Sequence, residues 1–176
     1  DPKFQELLVR WFEYGTFCPV MRLHGYRWPL QPQYGTTGGA TCVSGAPNEV
    51  WSYTDQVCEI LSDYLRLRER MLPYITELME EAHEKGTPVM RPLFYDFPED
   101  KESWNVETEY MFGPKVLVKP ITDADARETD VYLPGGASWT NAWTGETFEG
   151  GQKVHVAAPI EQIPLFTRDG YKLPMK

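Results

Sequence analysis

The chain has 176 residues, of which 41% are hydrophobic, a composition normal for a folded protein of one or two domains. Its 26 acidic and 17 basic residues give a formal net charge of -9. Because nucleic acids and anionic membrane surfaces are bound through clustered positive charge, this excess of carboxylates argues against both as partners, and a neutral ligand fits better.

The first predicted elements are a helix and a short buried strand. From Pro2 to Tyr14, apolar and polar side chains recur on opposite faces at helical spacing. Gly15 should end the helix, and the mostly apolar run Thr16 to Leu23 then predicts a strand buried on both faces. His24 would lie at the carboxyl end of that strand. The predicted apolar face consists of Phe4, Leu7, Leu8, Trp11 and Phe12, and the polar face of Lys3, Glu6, Arg10 and Glu13.

A second, longer helix follows a loop rich in Gly, Pro and Thr. It is predicted to start at a capping box in which Ser52 caps the helix and Asp55 reaches back, and to run to about residue 85. Pro73 should kink this helix, and Gly86 should end it. Its basic residues in LRLRER are predicted to form a solvated, paired face. The run Pro88 to Phe97 then predicts another apolar strand.

This order of helix, strand, loop, helix and strand is typical of parallel α/β architecture. In an α/β barrel, binding and catalytic groups lie at the carboxyl ends of the strands. His24 and Asp96 both meet that rule, although Asp96 is interpreted as a turn or cap residue.

The pattern changes from Glu109 onward. Short apolar runs alternate with Gly, Pro and Asp, which predicts an antiparallel β-sandwich with tight turns. The sequence TGE is a plausible hairpin tip within this part. The polar stretch Pro98 to Val106 is predicted to link the two parts.

Seven segments, taken together and in order, resemble glycoside hydrolase family 31. They are RWFEYGTFCPVMRLHG, LRLRERMLPYI, GTPVMRPLFYDFPED, YMFGPKVLVKPI, VYLPGG, WTNAWTGE and IPLFTRDG, and they span nearly the whole chain. The resemblance implies α/β plus all-β architecture, namely the last helix and strand units of a (β/α)₈ TIM barrel followed by a β-sandwich. Residues 1–97 would form the barrel portion, 98–106 the linker and 107–176 the sandwich.

The resemblance also implies a function, that of a retaining α-glycosidase acting on terminal α-linked xylose or glucose of an oligosaccharide. Such hydrolysis uses two carboxyl groups about 5 to 5.5 Å apart and needs no metal or organic cofactor. In this family the two groups are aspartates in motifs resembling W-x-D-M-N-E and G-D, and neither motif occurs here. We therefore expect a fragment that is inactive alone and that requires the remainder of the barrel, or association with itself, to cover its strand edges.

Three residues are predicted to contact substrate. His24 resembles the family's histidine that donates a hydrogen bond to the hydroxyls of the sugar at the cleavage site, whereas a lone histidine on an apolar strand is more often a core residue. Arg22 should point to the same side of the strand, where it would order carboxylates or form a structural ion pair. Trp28 would stack on a sugar face or cover the barrel rim.

The long loop from Tyr26 to Val50 departs from the commoner family pattern, and loops at this face usually set which sugar fits. The RLHG ending resembles some α-xylosidases and favours xylose. A noncatalytic carbohydrate-binding or scaffold module is the alternative, because the chain is rich in aromatic residues and has no assigned carboxylate pair. Such a module would have no reason to begin with barrel helices.

The cysteines bear on the compartment. Cys18, Cys42 and Cys58 have neither zinc-like nor redox spacing, and an odd number of cysteines is a poor disulfide framework. Reduced thiols in a cytoplasmic protein are the simplest interpretation. No signal peptide or apolar run of membrane length is visible in the sequence, although a fragment would lack an amino-terminal signal.

Overall fold

The computed structural model describes residues 1–23 and 28–175, with helices in the first half and strands in the second. The helices are α1 (Pro2–Thr16), α2 (Asp55–Arg70), α3 (Leu72–Lys85) and the single turn α4 (Leu93–Asp96). The strands are β1 (Met90–Pro92), β2 (Tyr110–Phe112), β3 (Val116–Val118), β4 (Glu128–Leu133), β5 (Ser138–Asn141), β6 (Thr147–Glu149), β7 (Gln152–Ala157) and β8 (Leu165–Arg168). Within these described ranges, no helix is both long enough and apolar enough to cross a membrane.

The strands form two antiparallel sheets. One has six strands in the order β1-β2-β3-β8-β5-β6, and the other pairs β4 with β7. The predicted hairpin at TGE joins β5 to β6, with Gly145 in the left-handed conformation that the turn needs. The antiparallel sandwich predicted from Glu109 onward is therefore confirmed.

Side chains alternate across the six-stranded sheet, so the sheet is buried on both faces. Met111, Leu117 and Phe166 point toward the β4–β7 pair and share a core with Val131, Leu133, Trp139 and Val154. Phe112, Val116, Val118 and Leu165 belong to the other core, which is formed with α1, α2 and α3. The molecule thus has three layers, with the sheet packed between the helices and the smaller sheet.

One predicted strand is wrong, and another is much shorter than predicted. Residues 17–23 are irregular, and no β partner among the described residues pairs with them. A strand exists only where a neighbouring strand supplies its hydrogen bonds, which apolar residues alone do not do. The run Pro88 to Phe97 forms only the three-residue β1, which is antiparallel to β2, before α4 begins. Pro92 lacks the N–H that a longer strand would use. Strand β1 lies in the range predicted for the barrel, yet it belongs to the sandwich sheet.

The second predicted helix is two helices. Its start differs from the prediction, because the side chain of Thr54, not Ser52, accepts the capping hydrogen bond, from Val57 N at 3.4 Å. The kink expected at Pro73 is a break at Met71 between α2 and α3, with Pro73 in the first turn of α3. Gly86 ends α3 with a φ of 69°, which confirms the predicted stop.

Two glycines test how closely the helices pack on the sheet. Gly113, between β2 and β3, has a φ of 60°, and a Cβ there would collide with the Tyr74 hydroxyl and the Leu78 side chain of α3. Gly170 has a φ of 75° and nothing within 4 Å of such a Cβ.

We expect Gly170→Ala to lower the free energy of unfolding by about 1–2 kcal/mol, the cost of a left-handed non-glycine residue. Gly113→Ala should cost about 1–3 kcal/mol more, through overpacking. Urea denaturation of both variants measures the difference, and equal losses would mean that the helices do not approach the sheet this closely.

Candidate functional site

The predicted site residues lie where α1 leads into the long loop. His24 is in the segment 24–27, outside the described residues. Arg22 and Trp28 lie on either side of that segment, and both are exposed, Trp28 to 80%. Arg22 also lines a cavity of about 340 Å³ between α1 and α2, whose other lining residues are Phe12, Met21, Leu23, Leu65 and Arg68.

The backbone that precedes Arg22 is held by a side chain of α2. The guanidinium of Arg68 donates to the carbonyl oxygens of Thr16 at 2.7 Å, Cys18 at 2.8 Å and Pro19 at 3.1 Å. The last carbonyls of a helix have no partner within the helix, and here an arginine provides one. The expected solvated, paired face of LRLRER is therefore wrong for Arg68, which is half-buried.

The same backbone is also held from the sheet. The hydroxyl of Tyr110, on β2, donates to the carbonyl oxygen of Phe17 at 3.0 Å. The Phe17 ring is fully buried and meets the edge of Phe112, with ring centres 6.1 Å apart. Helix α2 and strand β2 thus fix residues 16–19 from two sides.

The loop beyond residue 27 exposes three aromatic rings. Trp28, Tyr34 and Trp51 are 80%, 79% and 73% exposed. The loop is closed on itself, because Gln31 and Ser44 exchange backbone hydrogen bonds of 2.8 and 3.2 Å. Of these three residues, Trp28 is the one predicted from the sequence, although Tyr34 and Trp51 have the same signal, an aromatic residue in a loop rich in Gly and Pro. The arrangement offers flat apolar surfaces of the kind on which sugar rings stack.

A buried charged cluster joins the helices to the sandwich. The Arg10 guanidinium lies 3.0 Å from Glu13 Oε2 and donates to the carbonyl oxygens of Ala126 at 3.1 Å, Ala158 at 2.7 Å and Pro159 at 3.2 Å. Arg10 and Glu13 belong to the predicted polar face of α1, and both are buried. Helical periodicity gives two faces, but it does not show that a second domain covers the polar one.

Glu13 is also linked to α2. The Tyr64 hydroxyl lies 3.0 Å from Glu13 Oε1 and accepts a hydrogen bond of 3.0 Å from the backbone N–H of Ile163. Burial raises the pKa of Glu13 to about 7, against the opposing effect of the Arg10 charge. One cluster therefore ties together α1, α2 and the segment before β8.

A raised carboxyl pKa suits a general acid, and in the described ranges two glutamates, Glu13 and Glu109, have a pKa of about 7. Glu13 is occupied by Arg10 and Tyr64. Burial raises the pKa of Glu109 to about 7 as well, but both of its oxygens accept from the backbone N–H of Tyr132, at 3.0 and 3.2 Å. Both groups thus have structural partners.

In the described ranges, no group of three or more His, Cys, Asp or Glu residues is placed to hold a metal ion.

Comparison with family models matches the two halves of the chain to two domains of one family. Residues 1–78 match the model of the glycosyl hydrolases family 31 TIM-barrel domain. Residues 86–173 match the model of the glycosyl hydrolase family 31 C-terminal domain. The two matches follow each other along the chain in this order.

Individual relatives agree with the family models. The chain is 37% identical to an alpha-xylosidase of Saccharolobus solfataricus over 98% of its length, and 36% identical to alpha-glucosidase 2 of Bacillus thermoamyloliquefaciens over 94%. It spans 21% and 19% of those two proteins, about a fifth of each. Among solved structures, a GH31 alpha-xylosidase from a soil metagenome, complexed with xylose, superposes with a TM-score of 0.90 at 47% identity, covering 98% of this chain and 26% of that one.

The buried cluster gives a stability prediction. Arg10→Met removes the cation beside the buried Glu13 carboxyl and takes one donor from each of three carbonyl oxygens, so the free energy of unfolding should fall by about 3–5 kcal/mol. Arg66, 2.8 Å from Asp63 on the exposed face of α2, is the matched control, and Arg66→Met should cost less than about 1 kcal/mol. Urea denaturation of both variants measures this. Similar small losses would show that Arg10 does not hold the two parts together.

Proposed function

Since the chain belongs to glycoside hydrolase family 31, we propose that it forms the last part of the catalytic barrel, with the sandwich that follows, of a longer retaining α-glycosidase. The observation that carries the proposal is the superposition of 98% of the chain on an alpha-xylosidase at 47% identity, with a TM-score of 0.90. The coverage of only about a fifth of the curated relatives supports a longer parent protein.

The two catalytic carboxyl groups are proposed to come from other segments of that longer protein. Retaining hydrolysis needs one carboxylate to attack the anomeric carbon and one carboxylic acid to protonate the leaving oxygen, about 5 to 5.5 Å apart. The two carboxyl groups with a pKa raised to about 7 are engaged by Arg10 and by the Tyr132 backbone, which supports structural roles for both. This chain alone is therefore expected to be inactive.

The share of this chain in catalysis is proposed to be substrate contact. His24 donates a hydrogen bond to sugar hydroxyls, Arg22 orders the carboxylates beside it, and Trp28 stacks on a sugar ring. The exposure of Arg22 and Trp28, together with the anchoring of residues 16–19 just before them, supports this assignment. Such contacts accelerate a reaction when they strengthen in the transition state.

The proposed substrate is an oligosaccharide with a terminal α-linked xylose or glucose, with xylose preferred. The RLHG ending and the alpha-xylosidases among the relatives support that preference. A noncatalytic carbohydrate-binding module fits less well, because the chain matches the barrel model as well as the C-terminal domain model. A cytoplasmic setting is proposed on the three free thiols.

Substitution of His24 tests this function in the full-length protein. His24→Ala should lower kcat on p-nitrophenyl α-xyloside by about 10- to 100-fold, the loss of one strong hydrogen bond, with an almost unchanged Tm. His83, exposed on α3, is the matched control, and His83→Ala should leave kcat unchanged. An unchanged rate in the His24 variant would reject the assignment, and a wild-type protein that releases no p-nitrophenol from α-xyloside or α-glucoside would reject the function.

A further inference from the structure

Three arginines of α2 have different environments. Arg66 pairs with Asp63 in solvent, and Arg70 donates to the carbonyl oxygens of Pro174 and Met175 near the chain end. Arg68 is half-buried and reaches back to the end of α1. Among the arginines of LRLRER, it is the one whose described hydrogen bonds go to the backbone that leads to His24.

The contacts of Arg68 depend on the shape of its guanidinium. Two of its nitrogens serve three carbonyl oxygens, with Nη1 on Thr16 and Cys18 and Nη2 on Pro19. A planar group with donors in a fixed fork holds three acceptors in one geometry, whereas the compact ammonium of lysine does not. The carbonyls, in turn, set the direction in which the backbone leaves α1.

Arg68 is also close to the predicted site itself. Its side chain and that of Arg22 line the same cavity of about 340 Å³. Only four residues separate Pro19 from His24, so a shift of the backbone at Pro19 has little chain over which to relax. A displacement of about 1 Å in a substrate-contacting group costs up to roughly a hundredfold in rate.

We propose that Arg68 is a positioning residue for glycoside cleavage, which fixes residues 16–19 so that His24 meets the sugar in the productive orientation. The inference rests on the proposed function. Tyr110 assists from the sheet through its single hydrogen bond to Phe17. Arg68 itself touches neither substrate nor reacting atoms and acts through His24.

A double-mutant cycle in the full-length protein tests this role, with kcat/KM on p-nitrophenyl α-xyloside as the readout. Arg68→Lys should lower kcat/KM roughly tenfold in the wild-type background, but less than about twofold when His24 is already alanine. Arg70→Lys is the matched control, because Arg70 binds the carbonyls of Pro174 and Met175 and not those of residues 16–19. It should change kcat/KM less than about twofold in both backgrounds. If Arg68→Lys does not fold, Tyr110→Phe provides the same test, with a loss of about threefold that disappears in the His24→Ala background.

The outcomes separate the two proposals. Equal losses from Arg68→Lys in both backgrounds, or no loss in either, would overturn the positioning role and leave His24 assigned. A His24→Ala variant as active as the wild type would instead reject the His24 assignment and, with it, the role of Arg68.

Discussion

The buried guanidinium of Arg10 is the interaction on which the rest of the structure depends. It pairs with Glu13 inside α1 and binds the backbone carbonyls of Ala126, just before β4, and Ala158, just after β7, at one end of that sheet, while Tyr64 extends the cluster to α2. A charge taken out of water is costly unless it is paired and hydrogen-bonded, and these contacts of the two Nη atoms fix α1 against the sandwich. Helix α1 continues from Arg10 to Thr16, and the segment leading to His24 follows.

The segment after α1 is ordered by side chains because no described strand pairs with it. Arg68 and Tyr110 come from opposite sides and satisfy the carbonyls of residues 16–18, and Arg68 also satisfies that of Pro19. The proposed substrate contacts would therefore take their precision from packed elements outside the loop that carries them.

Local signals predicted much of this fold. The stop at Gly86, the hairpin at TGE and the antiparallel strands after Glu109 each follow from short-range chemistry, and each is confirmed. The errors involve contacts distant in sequence. In the sequence, Arg10, Glu13 and Arg68 look like solvent-facing helix residues. Their partners are distant in sequence: carbonyls near β4 and β7 for Arg10, the Tyr64 hydroxyl of α2 for Glu13, and the end of α1 for Arg68. The apolar run Thr16 to Leu23 has the composition of a strand but lacks a described neighbour with which to pair. The contacts of His24 stay a prediction.

The central claim is that this chain completes a retaining α-glycosidase, and the stereochemistry of the released sugar tests it most directly. Proton NMR of the full-length protein acting on p-nitrophenyl α-xyloside resolves the two anomers of free xylose before mutarotation mixes them. Two displacements at the anomeric carbon return the original configuration, so the account predicts that α-xylose forms first. Initial formation of β-xylose would contradict it, as would the absence of any released sugar from both the α-xyloside and the α-glucoside.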